Sequence, residues 1–410
     1  MSRLNILGQH FRQTRLSPKD WPLHVVAAVA GAEATEMWPS FPPGATLTQR
    51  RLGHGAGADV ATARTCAVGE LVEIASCCAW GDEVVLTARS SELQGISFGP
   101  VELCGFSSDQ TANRDFWNTR LAGLDWVPKA ADPADPIDWM RAECLFTRQV
   151  IFVPADCVLI GRRAPGDVAA CAVADTNGCA AGRTLEDACL RALFELIERD
   201  ATGRWWYGQR HAPVLDQSAL SIDTAIMENL LRRDRHLLLL NLTSDLGVPT
   251  VAALAMNATG GDVGAGFATR ANLQAAVRAA VTELMQMELR VAAAQLSQSP
   301  DTDLKKWFQE VWFEGLVPFK DNPRDETPMY SDFDFDLEAC IERLGSAGCR
   351  IAIMHFTRPE FAVPVVRAIS PDLCHWRPRL GRTRLLGGKE NGSLSGAVRT
   401  DGLNPQILRI

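Results

Sequence analysis

The order of apolar and polar residues predicts three long helices in this 410-residue chain. They span about Asp59 to Trp80, Thr184 to Tyr207, and Arg270 to Gln298. The Thr184 hydroxyl is placed to cap the second helix, and Asp187, three residues later, is placed to return the hydrogen bond. Trp205, Trp206 and Tyr207 end this helix, and an aromatic cluster at such a place is more often packed in a core than bound to a ligand.

Short apolar runs between the helices predict strands. They are Val150 to Val153, Val158 to Ile160, Leu237 to Leu240, Val248 to Ala255, Arg350 to Phe356 and Val363 to Ile369. Residues 1 to about 50 show no regular pattern. The glycine-rich run from Gly53 to Gly57 is typical either of a loop that cradles phosphate on free amides ahead of a helix or of a flexible entry loop, and the flexible loop is at least as well supported. Strands mixed with long helices favour an α+β fold for a domain at 51–380, between an N-terminal segment at 1–50 and a C-terminal tail at 381–410.

One motif occurs three times, once in each predicted long helix. The copies are Ala67-Val68-Gly69-Glu70-Leu71-Val72-Glu73, Ala192-Leu193-Phe194-Glu195-Leu196-Ile197-Glu198 and Ala280-Val281-Thr282-Glu283-Leu284-Met285-Gln286. Each copy reads Ala, two residues, Glu-Leu, an apolar residue, and then Glu or Gln. A spacing of three places the two polar side chains on one face of the helix, about one turn apart.

Two carboxylates at this spacing repel each other unless a cation lies between them. At ~6 Å and an effective dielectric of about 20, the repulsion is on the order of 3 kcal/mol. Magnesium reverses the sign of this interaction, because it binds oxygen ligands and shares them with substrate phosphates. The alternative is that the glutamates face water, since the apolar stripe of the second helix leaves Glu195 on its flank and Glu198 nearly opposite. Three copies in register favour a shared magnesium–nucleotide site.

Composition narrows the classes of partner and the compartment. A net charge of −8 argues against broad nucleic-acid binding, which needs a basic face. The 12 cysteines show no regular spacing, which suits a reduced, cytoplasmic chain. The apolar stretch from Trp21 to Ala32 is interrupted by His24 and is too short to span a membrane. The arginines between Arg377 and Lys389 are interpreted as part of a solvated tail.

The chain resembles the YcaO family at two central segments, Asp175-Thr176-Asn177-Gly178-Cys179-Ala180-Ala181-Gly182 and Glu195-Leu196-Ile197-Glu198-Arg199-Asp200-Ala201. The first motif copy falls where that family has its first glutamate pair, and the third falls on its Glu-x-x-Gln helix. Later segments, at Thr357-Arg358-Pro359 and Val363-Pro364-Val365-Val366-Arg367, are similar to its late strands. The likeness runs from about residue 53 to residue 375.

The resemblance implies an ATP site without a Walker motif, and the chain contains no Gly-x-x-x-x-Gly-Lys-Ser/Thr run. It implies that four catalytic glutamates hold Mg²⁺, namely Glu70, Glu73, Glu195 and Glu198. It also implies that the nucleotide is bound by Thr176, Asn177, Arg199, Glu283 and Gln286.

YcaO enzymes let a nucleophile attack a peptide carbonyl, phosphorylate the resulting oxyanion and expel phosphate. A Cys, Ser or Thr side chain gives a thiazoline or oxazoline, whereas sulfide gives a thioamide and an amine gives an amidine. The resemblance therefore implies a cyclodehydratase that acts on a ribosomal precursor peptide, in a homo- or hetero-oligomer. A separate leader-peptide-binding protein and a flavin dehydrogenase are the implied partners.

The end of the chain departs from the azoline-forming members of the family. Those members usually carry a proline-rich tail, whereas residues 403–410 contain one proline, Pro405. A thioamide- or amidine-forming enzyme is therefore kept as an alternative. A non-catalytic nucleotide-binding scaffold is the third hypothesis, and the presence of all four glutamates disfavours it.

Overall fold

The computed structural model describes residues 3–42, 45, 52–132, 134–296, 307, 311, 334–386 and 402–409. Its helices are α1 (Arg3–Leu7), α2 (Ala32–Met37), α3 (Val60–Cys77), α4 (Pro100–Cys104), α5 (Ser108–Ala112), α6 (Arg114–Arg120), α7 (Ala155–Val158), α8 (Leu185–Trp206), α9 (Thr224–Arg232), α10 (Leu273–Leu296) and α11 (Leu337–Ser346). Its strands are β1 (Phe11–Arg15), β2 (His24–Ala30), β3 (Gly53–Gly57), β4 (Leu86–Ala88), β5 (Ile96–Ser97), β6 (Ile137–Cys144), β7 (Val150–Pro154), β8 (Cys179–Ala181), β9 (His236–Asn241), β10 (Thr250–Met256), β11 (Gly264–Thr269), β12 (Ala352–His355) and β13 (Val365–Ile369).

The described strands form three sheets, and each sheet ends in a strand that leads into a long helix. The first is antiparallel with the order β1-β2-β3, and the second is antiparallel with the order β9-β10-β11. The third has the order β5-β7-β6-β12-β13-β8, with β4 also paired to β6 and a parallel pair at β5 and β7. The terminal strands β3, β11 and β8 precede α3, α10 and α8, respectively. The mixture of sheets and helices confirms the α+β fold.

Glycines let two of these helices lie directly on their strands. A Cβ atom at Gly55 would lie 2.1 Å from the carbonyl oxygen of Ala63 on α3, and one at Gly266 would lie 2.2 Å from the amide nitrogen of Leu284 on α10. The prediction of a flexible loop at residues 53–57 is wrong, because these glycines permit close packing of a strand and a helix.

Two strands occupy the N-terminal segment, which the sequence pattern predicts to be irregular. Antiparallel pairing extends the first sheet from β3 through β2, with His24 opposite Gly57 and Ala28 opposite Gly53. Most residues of β2 are buried, and β1 is mainly polar and exposed. Neither strand therefore shows the alternation of apolar and polar residues that marks a half-buried strand.

The long helices agree closely with their predicted bounds, although Gln298 lies outside the described residues. The Thr184 hydroxyl accepts from the Asp187 amide at 3.1 Å, as predicted. The Asp187 carboxylate accepts a hydrogen bond from the Arg183 amide. In a capping box the donor would be the amide of Thr184, one residue later. Trp205, Trp206 and Tyr207 are buried at the end of α8, which confirms their predicted role in packing.

No described helix has the length and apolar character needed to cross a membrane. All 12 cysteines are free thiols.

Candidate active site

A cavity of about 1160 Å³ lies where the three long helices meet. Seven of the residues named from the sequence line it: Glu70, Thr176, Asn177, Glu195, Arg199, Glu283 and Gln286. The other two, Glu73 and Glu198, are not among the lining residues. Both lie behind the cavity wall, where backbone groups of neighbouring strands bind their carboxylates. The structure therefore brings the three motif copies to one place.

Two of the glutamates accept a hydrogen bond from the strand that precedes their own helix. Glu70 on α3 accepts from the amide of His54 on β3 at 2.7 Å. Glu283 on α10 accepts from the amide of Phe267 on β11 at 3.2 Å. Each bond fixes one carboxylate oxygen against a strand edge, so the side chain is held in place by the strand that precedes its own helix.

Glu73 and Glu198 instead connect neighbouring sheets and helices. Glu73 on α3 accepts from the amide of Ala181 on β8 at 2.8 Å. Glu198 on α8 accepts from the amide of Thr269 on β11 at 3.2 Å. These bonds tie the first unit, the β1-β2-β3 sheet with α3, to the third sheet, and they tie α8 to the second unit, the β9-β10-β11 sheet with α10. The cavity thus lies at the junction of three terminal strands.

Burial dominates the electrostatics of the acidic groups. Burial, together with the nearby charge of Glu195, raises the pKa of Glu70 to about 7. It likewise raises the pKa of Glu195 to about 7 and that of Glu283 to about 8, in both cases with a further contribution from Glu198. Burial also raises the pKa of Glu73 and of Glu198. Such clustered shifts are typical of functional sites.

The alternative that these glutamates face water is wrong for α8. Glu198 is 5% exposed, and the side chain of Glu195 is 22% exposed. The apolar side chains of α8 pack into one hydrophobic cluster. The flank of the helix that carries the two glutamates faces β11 and the cavity. Amphipathic periodicity alone did not distinguish these surroundings from solvent.

Arg199 lies between the acidic groups of α8. Its guanidinium is 3.4 Å from the Glu195 carboxylate and 3.2 Å from that of Glu198, and it lies over the ring of Trp376. The buried Arg199 Nε has no hydrogen-bond partner in the described part of the chain, and neither does the buried Oδ1 of Asn177. Unpaired buried polar atoms are costly, so both are placed to meet a polar ligand in the cavity.

The donor set fits magnesium and a nucleotide in chemistry. Carboxylate oxygens are ligands that Mg²⁺ prefers, and it normally completes its shell with phosphates and water. Within the described residues, no three His, Cys, Asp or Glu side chains are grouped closely enough to hold a metal ion alone. Each glutamate is instead turned towards a backbone amide or Arg199. The metal-ligand roles of the four glutamates therefore stay predictions.

A buried ionic cluster at the wall of the cavity was not found from the sequence. Asp175 lies 2.8 Å from Arg379 and 3.2 Å from His375, and Asp125 lies 3.0 Å from Arg379. Although burial alone would raise it, the charges of Arg379 and His375 hold the pKa of Asp175 well below its usual range. This cluster anchors the loop that carries Thr176 to the segment that carries Trp376, and both line the cavity.

The interpretation of Arg377 onwards as a solvated tail is wrong for the described arginines up to residue 384. Arg382 is 6% exposed and donates to the carbonyls of Glu102 and Leu103. Arg384 pairs with the fully buried Asp200 at 2.7 Å. The sequence pattern misses this because the acidic partners are far away in the chain. Lys389 lies outside the described residues.

Other cavity-lining residues without a sequence-based role are His54, Arg270, Arg278 and Trp376. Arg270 directly follows β11. Its positive charge opposes the rise that burial causes in the pKa of Glu198 and of Glu283. Its place at the junction of a strand and a motif helix is the signal that could have identified it.

Comparisons with known proteins agree with this geometry. A model of the family described as YcaO cyclodehydratase, ATP- and Mg²⁺-binding, matches residues 54–374. An uncharacterized protein of Methanothermobacter thermautotrophicus is 28% identical over 265 residues, which cover 60% of this chain and 68% of that protein.

Two solved structures share the fold. A heterocyclase in complex with substrate and cofactor superposes with a TM-score of 0.83 at 23% identity, covering 100% of this chain and 57% of the heterocyclase. The YcaO protein of Methanopyrus kandleri, bound with AMPPCP and Mg²⁺, gives a TM-score of 0.55 at 20% identity and covers 88% and 85% of the two chains. The present chain thus spans little more than half the length of the first of these structures.

Proposed function

The chain belongs to the YcaO family, and we propose on that basis that it is an ATP- and Mg²⁺-dependent cyclodehydratase. Its substrate is a ribosomal precursor peptide, in which it converts Cys, Ser or Thr residues to thiazolines or oxazolines. The observation that carries the proposal is the meeting of three Ala-x-x-Glu helices at one cavity, with the pKa values of their glutamates raised.

The proposed roles follow the chemistry of each side chain. Bound MgATP supplies the phosphoryl group that turns the amide oxygen into a leaving group. Glu70, Glu73, Glu195 and Glu198 supply carboxylate oxygens for the metal. Arg199, Thr176, Asn177, Glu283 and Gln286 surround the nucleotide. The chain contributes alignment and charge neutralisation, since a reaction of this kind depends mainly on the position of the phosphates relative to the peptide carbonyl.

Partners and compartment complete the proposal. A separate leader-peptide-binding protein delivers the precursor, and a flavin dehydrogenase acts on the azoline product. The 12 free thiols support a reduced, cytoplasmic setting.

The product is tested by mass spectrometry. The protein is incubated with ATP, Mg²⁺, the precursor peptide encoded beside it and its partner protein. We expect each ring to lower the peptide mass by one water. A mass gain equal to the exchange of oxygen for sulfur would reject azoline formation and identify the thioamide-forming alternative.

The role of the carboxylates is tested with Glu198→Gln, which keeps the acceptor for the Thr269 amide but removes the charge. We expect ATP-dependent phosphate release to fall on the order of 100-fold, the usual loss on removing one preorganised charged group. Glu342→Gln on the exposed side of α11 is the matched control and should release phosphate at the normal rate. Equal rates in the two variants would favour the non-catalytic scaffold instead.

A further inference from the structure

The outer edge of β3 carries backbone groups that no described residue binds. The His54 amide points out of the sheet, because it donates to Glu70. Val25 lies opposite Ala56, and its carbonyl points away from β3, because it accepts a hydrogen bond from the Leu16 amide at 2.8 Å. Two observations therefore place Ala56 at a non-hydrogen-bonded position of the β2–β3 pair, with its N–H and C=O directed outwards. Neither group has a hydrogen-bond partner among the described residues.

This edge opens into the cavity. His54, Gly55 and Ala56 all line it. The same cavity is lined by the side of α10 that carries Arg278 and Thr282. The Arg278 side chain is exposed and forms no ion pair or hydrogen bond with any residue that the structure describes. The space between β3 and α10 is therefore bordered by an unpaired strand edge on one side and an unpaired positive charge on the other.

The edge also runs directly into the proposed reaction centre. His54 and Ala56 are two residues apart, which is about 7 Å along a strand. The bond from His54 to Glu70 thus lies one strand repeat away from the open groups of Ala56. A chain that paired with Ala56 and continued along the edge would bring its own carbonyl groups beside Glu70.

We propose that the precursor peptide binds as an extended strand added to the outer edge of β3, with acidic side chains directed towards Arg278. An extended peptide supplies the alternating donors and acceptors that an open strand edge requires. The charge of Arg278 selects acidic residues in the stretch that crosses α10. This mode of binding deepens the proposed function and rests on it, since it places the substrate of that reaction.

The first test uses a random peptide library displayed on phage, panned against the full chain in the presence of Mg²⁺ and a non-hydrolysable ATP analogue. We expect enrichment of peptides rich in Asp and Glu. A representative enriched peptide is then synthesised with a fluorophore, and its Kd is measured by fluorescence anisotropy. Failure to enrich any peptide, or enrichment of basic peptides, would overturn the proposal.

Strand addition has a signature that packing in a pocket lacks. Copies of the enriched peptide, each with one N-methylated amide, should bind with alternating strength, because only every second amide faces β3. Methylation at sensitive positions should weaken binding about tenfold, as expected for loss of one hydrogen bond with added crowding. A profile without this period of two would contradict an added strand.

Ala56→Pro removes the outward N–H without affecting the β2–β3 ladder. We expect it to weaken binding of the enriched peptide about tenfold, while Ala56→Ser, which retains the N–H, binds as the wild type. Unchanged affinity in Ala56→Pro would reject the edge as the site. Binding of the ATP analogue reports whether the variant is folded, and if it is not, the methylation profile on the wild-type protein decides.

The two proposals fail separately. Peptide affinity is measured without turnover, so the strand-addition proposal can fail while phosphate release still depends on Glu198. Conversely, if Glu198→Gln left the rate of phosphate release unchanged, the enzymatic proposal would be rejected even if acidic peptides bind along β3.

Discussion

The first and second sheet–helix units are built alike but end differently at the cavity. In each, a three-stranded antiparallel sheet finishes in a glycine-containing strand, β3 or β11, which packs against a helix carrying Ala-x-x-Glu-Leu. On β11, the amides of Phe267 and Thr269 are both bound by glutamates, and one of these comes from α8. On β3, the His54 amide is bound by Glu70, while no described residue binds the outward groups of Ala56.

The difference indicates a division of labour within a repeated element. The second unit is fastened to α8 through Glu198, and its strand β11 lines the cavity of the proposed nucleotide site. The first unit is fastened to β8 through Glu73, and the outward groups of Ala56 have no partner among the described residues. Glutamates therefore hold two outward amides on β11 and one on β3, although both strands arise from the same local sequence pattern.

The largest expected effect concerns a buried charge that only the second unit contains. Glu288 on α10 is fully buried and lies 2.6 Å from Arg235 and 2.7 Å from Arg233. In Glu288→Gln the two arginines lose their counter-charge, so we expect the free energy of unfolding to fall by about 3–5 kcal/mol. Urea unfolding followed by tryptophan fluorescence measures the change.

No ion pair in the described part of the chain involves α3, so the first unit offers no equivalent charge to remove. Glu342→Gln, at an exposed position of α11, is again the control and should leave stability within about 0.5 kcal/mol of the wild type. If Glu288→Gln were as stable as this control, the second unit would not depend on its buried ion pairs.

A smaller and more symmetrical effect is expected from the glycines that bring each strand onto its helix. Gly55→Ala and Gly266→Ala both place a Cβ within about 2.3 Å of helix backbone. We expect each to cost about 1–3 kcal/mol, because a backbone contact cannot be relieved by a side-chain rotation.

Gly69→Ala, on α3 itself, is the matched control for the two glycine variants. Its new Cβ would meet only Leu4 Cδ1 at 3.6 Å, and Ala in a helix interior is favoured over Gly by about 1 kcal/mol, so this variant should be more stable. Thermal melting compares the three proteins. A large cost at Gly266 with none at Gly55 would show that the two units are not packed in the same way.

The sequence predicts the long helices correctly, but it does not predict the elements whose structure depends on residues far away in the chain. The helices were predictable because periodicity and the Thr184 cap are local. The strand β2 was missed because nearly all of its residues are apolar, and β3 because its glycines resemble a loop.

The site itself was predicted only as a set of residue types and their roles. What brings the glutamates together is bonding to strands of other sheets. Glu73 and its partner Ala181 are 108 residues apart, and Glu198 and its partner Thr269 are 71 apart. No pattern within one helix encodes these pairs, so burial of Glu198 could not be inferred from its own surroundings in the sequence.

The smallest effect distinguishes the two units by pH. The folded-state pKa is about 7 for Glu70 and about 8 for Glu283, above the ordinary value of 4.5 in both cases. A raised folded-state pKa means that protons favour the folded state. The stability that each group contributes is therefore complete below pH 4.5 and is lost as pH rises, through about 7 for Glu70 and about 8 for Glu283.

Metal-free protein should accordingly lose stability between about pH 4.5 and 8, with a contribution of about 1 kcal/mol from Glu70 between pH 6 and 8. Glu70→Gln should flatten the lower part of this profile and Glu283→Gln the upper part, as measured by melting temperature in buffers containing EDTA. MgATP should bind more tightly over the same rise in pH, because the carboxylates must lose their protons to bind a cation. If both variants kept the wild-type profile, neither glutamate would titrate in this range, and burial would not raise the pKa of Glu70 or of Glu283 as expected.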